Sequence, residues 1–232
     1  MLLKKPLVSI LTPTHNRRFF IPQFLKIVRN QIYDGPIEIL IADDGTDPIH
    51  DLIEKDNSFR YIRFDEKKPL GYKRNILSSE AKGEILINFD DDDYYPPCRV
   101  SHAVESLLAS EKLIAGSSLC HIYDTSLNKI FISGPFGDNH ATAGTLAYKK
   151  EYIKNNKFDD EAIAQEEPSF TKNYLNEMVQ LDPLKTILII KHSKNTWDKQ
   201  KTAMRISPYN LRDFIQSNND RRFYIQKFKK YI

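Results

Sequence analysis

The stretch Glu84-Ile85-Leu86-Ile87-Asn88-Phe89-Asp90-Asp91-Asp92-Asp93 decides the fold. A short apolar-rich run of strand length ends in four consecutive carboxylates, and so reads as a buried strand that delivers charge to its mouth. Four like charges in a row repel and raise one another's pKa values unless a cation or fixed donors neutralise them. Oxygen ligands of this hardness suit magnesium, manganese or calcium. A solvated acidic turn is the plain alternative. The place of the aspartates, between the apolar run and Tyr94-Tyr95-Pro96-Pro97, favours a metal site.

The segments on either side repeat the pattern. Leu7-Val8-Ser9-Ile10-Leu11, closed by Thr12-Pro13-Thr14, reads as a buried strand ending in a turn, and apolar residues from Phe20 to Ile32 then recur at helical spacing. A second strand over 36–42 stops at Asp43-Asp44-Gly45. A short helix near Ile49 to Ile53, a strand over 59–64 and a helix over 71–81 with Gly83 as its stop follow. Alternating strands and helices predict an α/β, Rossmann-like domain with a mostly parallel central sheet flanked by helices. Ligands bind such sheets outside the strands' carboxyl ends, where Thr12-Pro13-Thr14, Asp43-Asp44 and the four aspartates converge. Beyond Asp93 the pattern predicts a helix over 99–111, strands over 113–123 and 129–133, a small-residue strand over 142–148, a helix over 169–177 and a strand over 186–190. This smaller portion reads as more antiparallel.

With 232 residues and 41% hydrophobic content, one domain with an appendage fits and two full domains do not. No stretch reaches membrane-spanning length and the first residues lack a secretory core, so a cytoplasmic protein, soluble or peripherally membrane-associated, is expected. Cys98 and Cys120 are too few for a disulfide framework and read as packing residues. The net charge of +3 conceals an asymmetry: from Lys199 onward nine basic residues face two acids, which leaves the first 198 residues at −4. A basic tail suits an acidic membrane surface, nucleic acid or a solvated helix face.

Four motifs in order, Pro6 to Arg17, Ile41-Ala42-Asp43-Asp44-Gly45-Thr46, Gly71-Tyr72-Lys73-Arg74-Asn75 and Phe89 to Pro97, resemble family 2 glycosyltransferases of the GT-A fold. The resemblance is strong over about the first 100 residues and thins afterwards. It implies a nucleotide-diphosphate-sugar donor, UDP-linked, with residues 1–97 as the donor-binding half, 98–198 as the acceptor-side half and 199–232 as a basic amphipathic helical tail. It also implies that Thr12, Pro13, Thr14 and Arg17 cradle the nucleotide, that Asp44 or Asp43 bonds the base, and that Lys73, Arg74 and Asn75 reach the nucleotide or its phosphates. An exposed helix face is the plain alternative for Lys73-Arg74. Asp90 and Asp92 correspond to the family's DXD pair and would hold the donor through ribose and a manganese or magnesium ion, with Asp91 or Asp93 able to take either duty.

An inverting transfer needs a carboxylate to accept the acceptor hydroxyl's proton. In similar enzymes a Glu-Asp pair before a helix supplies it, and Ala164-Gln165-Glu166-Glu167-Pro168 occupies that place here. Glu167 stands where the Asp would be, one methylene longer, so either Glu167 or Glu166 is the base. Helix capping is the plain alternative for both. His192, at another strand end, matches a late metal-binding histidine, against the commoner structural role of a lone His. Trp197 would stack on an acceptor sugar or fill a core edge.

The acceptor is expected to be a glycan, a protein or a lipid-linked sugar. Leu211, Phe214 and Ile215, then Phe223, Tyr224, Phe228 and Tyr231, make the tail amphipathic, to meet a membrane surface, a second subunit or its own domain. A nucleic-acid binder suits the 25 Tyr and Phe residues but not the acidic body. A nucleotidyltransferase would carry a glycine-rich loop where Thr12-Pro13-Thr14-His15-Asn16 has none. A catalytically inactive sugar-nucleotide-binding relative remains, since Glu-Glu replaces Glu-Asp.

Overall fold

Val8–Thr14 (β1) is buried at every position and lies inside a sheet between Ile37–Asp43 (β2) and Ile85–Asn88 (β4), parallel to both. The computed structural model describes residues 4–53, 58–193, 195 and 204–228. Phe59–Arg63 (β3) pairs parallel with β2 at the edge. Thr12-Pro13-Thr14 extends β1 instead of turning. Proline is admitted there because the amide of Val8 faces β2, so by alternation position 13 faces β4, whose pairing ends at Leu11↔Asn88.

Alternate side chains of these strands enter two cores. Val8, Ile10, Ile39 and Ile41 pack with Ile21–Arg29 (α1) and Arg99–Leu108 (α3), while Leu11, Leu40 and Leu86 pack with Leu77 of Leu70–Glu80 (α2). Gly83 is not a helix cap, because α2 ends at Ala81 in extended backbone. A Cβ at Gly83 would stand 2.5 Å from Ser9 Oγ, so the glycine lets the chain cross β1 closely.

The second half departs from the expected elements in three places. Residues 113–123 form two strands, Ile114–Gly116 (β5) and Cys120–Asp124 (β6), which belong to different sheets. The 142–148 segment is a 3₁₀ turn, Ala143–Thr145, followed by Ala147–Lys149 (β8). The expected 169–177 helix is a single turn, Glu167–Phe170 (α4), because Lys172, Asn173 and Tyr174 adopt left-handed φ values of 52°, 55° and 61°. With Val179–Gln180 (β9), the main sheet has the order β3-β2-β1-β4-β8-β5-β9, and β8 is antiparallel to both neighbours. Lys129–Ser133 (β7), Leu188–Lys191 (β10) and Met204–Ile206 (β11) join β6 in a small mixed sheet ordered β10-β6-β7-β11.

The tail thus opens as a strand and continues as Leu211–Phe214 (α5), Asn218–Arg222 (α6) and a π-helical stretch, Phe223–Lys227. Most of its described aromatic residues face inward, with Tyr209 left exposed. Phe223, Tyr224 and Phe228 are buried, with Phe223 stacked on Phe19 at 5.5 Å and Phe228 against Phe20 at 5.1 Å. Their apolar face belongs to the domain core. Trp197 and Tyr231 lie outside the described residues. No described helix is long and apolar enough to cross a membrane.

Candidate active site

The four aspartates after β4 do not share one environment. The backbone turns after Asn88, and each carboxylate meets a different neutralising group. Asp90 accepts from Arg74 Nη2 at 2.9 Å, and Asp91 accepts from Thr14 Oγ1 at 2.5 Å. Asp92 lies 3.0 Å from His192 Nε2 and 3.5 Å from Arg17 Nη1. Asp93 accepts the amide of Ile190 at 2.7 Å and so ties the turn to β10, while it too lines the crevice. Donors in place of a cation therefore already offset part of the repulsion. Burial and the Asp92 charge still push Asp91 up to about 7, and burial raises Asp90 against the pull of Arg74.

Beneath them, Lys73 and Arg74 are buried rather than an exposed helix face. Lys73 Nζ donates to Asp44 Oδ1 at 2.7 Å and to the Thr14 carbonyl at 3.0 Å, which pins the end of β1 to the turn after β2. Burial lowers the Lys73 pKa despite Asp44. Burial pulls Asp44 the other way, but bonds from Lys73, the Lys68 amide and His15 bring it below its ordinary value. Asp43 is spent on its own loop: its carboxylate takes the Gly45 and Ile49 amides and the Tyr61 hydroxyl, the last at 2.6 Å. Asn75 faces away from the crevice, holding the backbone of Phe158 and the carboxylate of Asp160. Thr12 is buried inside β1 with its hydroxyl unpaired among the described residues.

Glu166 and Glu167 have separate fates. Glu166 accepts from Arg74 Nε at 2.6 Å, so Arg74 bridges Glu166 and Asp90, 76 positions apart in sequence. The remaining guanidinium nitrogen, Nη1, is buried without a partner among the described residues. Glu167 accepts the Ala143 amide at 2.8 Å and has no side-chain cation bonded to it among the described residues. Burial and the Glu166 charge push its carboxyl up to about 7. Gln165, immediately before the pair, adopts a left-handed φ of 56°.

Among the described residues no three His, Cys, Asp or Glu side chains converge on one point. One pair that meets beside the crevice is Asp92 with His192, whose ring is wedged between Phe20 and Phe228 at 5.2 and 5.3 Å and is thereby fixed in orientation. Asp92 lines the crevice and His192 backs it. Divalent cations at phosphate sites commonly take one or two carboxylates and leave the rest of the shell to phosphate and water. The donor set present fits such an ion, with Asp90 turned toward Arg74.

These groups line a cavity of about 770 Å³ at the carboxyl ends of β1 and β4. Thr14, Arg17, Lys73, Arg74, Asp92 and Glu167 all reach it, from four separate parts of the chain. His15, Gly144 and Tyr174 line it as well and were not expected from sequence. Of these, His15 was the most accessible to sequence reasoning, because it sits directly after β1 in the nucleotide-cradling segment; it bonds Asp44 at 3.0 Å. Gly144 leaves no room for a side chain, since a Cβ would lie 2.8 Å from Asp90 Oδ2.

Comparison with known proteins agrees with this geometry. The chain is 36% identical over 100 residues to a putative glycosyltransferase, EpsH, of Bacillus subtilis, a match covering 41% of the chain and 28% of that protein. It is 22% identical to a GalNAc(5)-diNAcBac-PP-undecaprenol β-1,3-glucosyltransferase of Campylobacter jejuni, over 87% of the chain and 71% of the relative. Among solved structures it resembles S. aureus TarS 1-349 in complex with UDP-GlcNAc, with a TM-score of 0.64, 20% identity, and coverage of 81% of the chain and 59% of TarS. A Pyrobaculum calidifontis mannosyltransferase in complex with GDP-Man and Mn²⁺ superposes with a TM-score of 0.61 at 17% identity, over 82% of the chain and 57% of that structure. The chain thus spans well under half of EpsH and about three fifths of the TarS structure, and these likenesses establish the GT-A fold. Residues 9–165, more than half of the chain, match the profile of glycosyl transferase family 2, and the chain belongs to that family.

Proposed function

We propose that this chain transfers a sugar from a nucleotide-diphosphate donor, UDP-linked, to an acceptor hydroxyl with inversion at the anomeric carbon, using Mn²⁺ or Mg²⁺. The observation that carries the reading is that Arg17, Lys73, Asp92 and Glu167, remote in sequence, face one crevice at the ends of parallel strands. Cations from the first half of the chain line one side, and a carboxyl poised to exchange a proton stands among residues of the second half. The complexes named for TarS and the Pyrobaculum enzyme support a donor of this class and a divalent ion.

In this reading Thr14 and Arg17 orient the nucleotide, and Asp44 meets the base after Lys73 and the Lys68 amide have fixed it. Asp92, backed by His192, holds the ion. A bound divalent cation supplies neutralisation of the diphosphate leaving group. Glu167 accepts the acceptor's hydroxyl proton as that oxygen bonds to the anomeric carbon and the bond from that carbon to the diphosphate oxygen breaks. Glu166 is unsuited to this step because its Oε1 is already taken by the bond from Arg74 Nε. Because Glu167 titrates near 7, it is available as a base in neutral solution.

The test is incubation with UDP-sugars and candidate glycans, with the product's anomeric configuration read by NMR. A product of configuration opposite to the donor supports the reading; retention refutes inversion. Binding of donor without any transfer would favour the inactive sugar-nucleotide binder that the Glu-Glu pair leaves open.

A further inference from the structure

The two walls of the cavity differ in charge. Among the described residues its lining Lys and Arg side chains, Arg17, Lys73 and Arg74, come from the first half of the chain, while the lining residues between 120 and 189 include neither type. That second wall carries Ile122 and Ile189 from the small sheet, and Phe136, His140 and Tyr174 as an aromatic row. Phe136 and His140 have ring centroids 4.9 Å apart, and His140 stacks on Tyr174 at 4.7 Å. Among the described residues a diphosphate has no cation to meet on this wall, so the wall suits an uncharged partner.

The row is held in place by bonds and at conformational cost. Ser118 Oγ accepts the amides of Phe136 and Gly137 at 2.7 and 3.1 Å, and the Gln180 amide donates to the carbonyls of Asp138 and His140. Tyr174 ends the run of three left-handed residues, a conformation that a bulky non-glycine side chain adopts only at a cost. That strained turn places Tyr174 close enough to Glu167 and Glu166 for their charges, together with burial, to push its phenol up to about 12. The row therefore runs from beside the proposed base to the cavity mouth, where Phe136 is 54% exposed and Ile163, 74% exposed, also lines the opening.

Resting on the proposed glycosyl transfer, we infer that the Phe136–His140–Tyr174 wall is the acceptor subsite and that it takes a neutral pyranose, whose C–H face packs on aromatic rings while its hydroxyl meets Glu167. An anionic ring, such as a uronate, is disfavoured there because it would face Glu167, Glu166 and the aspartates without a cation on its own wall. The pyranose can be presented by a soluble glycan or by a lipid carrier. Ring recognition is common to both.

The experiment is saturation-transfer NMR with neutral methyl pyranosides and methyl glucuronide, on the whole chain with and without UDP and Mn²⁺. The neutral rings are expected to bind more tightly than the glucuronide. Phe136→Ala, an exposed position whose truncation leaves the fold intact, is expected to weaken binding about three- to tenfold, and Phe136→Trp to restore it. Equal weakening for the free pyranoside and for the same sugar on a lipid diphosphate supports ring recognition; weakening confined to the lipid form assigns the wall to the carrier and overturns the inference. UDP binding with no pyranoside binding, or with binding indifferent to Phe136, overturns the inference and leaves the transfer reading standing. Failure of UDP and every nucleotide sugar to bind the unaltered chain would overturn both.

Discussion

Replacing Arg74 by glutamine should destabilise the fold in a way that depends on pH. Arg74 is 3% exposed and stands between Glu166, also 3% exposed, and Asp90, whose side chain is 30% exposed. Removing one partner of a buried pair costs about 3–5 kcal/mol, because the other is left as an uncompensated charge. Water screens part of the Asp90 charge, so Glu166 dominates and the lower end, about 3 kcal/mol, is expected. With a urea m-value of about 2–3 kcal/mol/M, the unfolding midpoint should fall by about 1–1.5 M near pH 8. Burial already raises the Asp90 carboxyl against the pull of Arg74, and without the guanidinium it would rise further. Stability of the variant is then retained below the unfolded pKa and lost as pH rises through the raised folded value, so the deficit should shrink toward pH 4. Urea titrations of both proteins at pH 4 and 8 measure this. A deficit under about 1 kcal/mol at pH 8, or one equal at both pH values, would refute the assignment of Arg74 as the tie between the two carboxyls.

Glu167→Gln should leave donor binding intact and lower transfer by about 10²- to 10⁴-fold, measured by product formation at saturating donor. In the unaltered chain kcat/KM should rise with pH through about 7, since Glu167 must be unprotonated to act as base; a rate flat from pH 5 to 8 would contradict that role. Asp91→Asn should stabilise the ligand-free protein at pH 8 by on the order of 2 kcal/mol. The Asp91 carboxyl, raised to about 7, contributes stability that is lost as pH rises through that value, whereas Asn carries no charge to bury; thermal melts at pH 4 and 8 should diverge only at the higher pH.

Buried parallel strands read as nearly continuous apolar runs, which is why β1, β2 and β4 and the crevice at their ends were legible from local pattern. The acidic row was legible too, though not its dispersal. Which of Arg74, Thr14, His192 and the Ile190 amide meets which aspartate is set by contacts across 16 to 100 positions, with no local signature. The Arg74–Glu166 bond spans 92 positions and separates the two glutamates that sequence leaves equivalent. Periodicity misled where short-range geometry overrides it. The strand expected over 113–123 breaks at Ser117 and Ser118, whose side chains and amides bond Leu119, Thr145 and Gln180 instead of a ladder. The 169–177 helix stops because Thr171 Oγ1 captures the Tyr174 amide within a left-handed turn. In the tail, aromatic and basic residues alternate in a manner common to membrane-surface and core-packed segments, and only packing against Phe19 and Phe20 distinguishes them.

The central claim is that Asp92, with His192 behind it, carries an ion that holds a sugar nucleotide's diphosphate. Thermal melting against a panel of nucleotide sugars, with and without Mn²⁺, tests it most directly when run in parallel on Asp92→Ala. The account predicts a rise in Tm for one donor class that requires Mn²⁺ and vanishes in the variant. A rise that persists unchanged in Asp92→Ala, or no response to any nucleotide sugar in either condition, would contradict it.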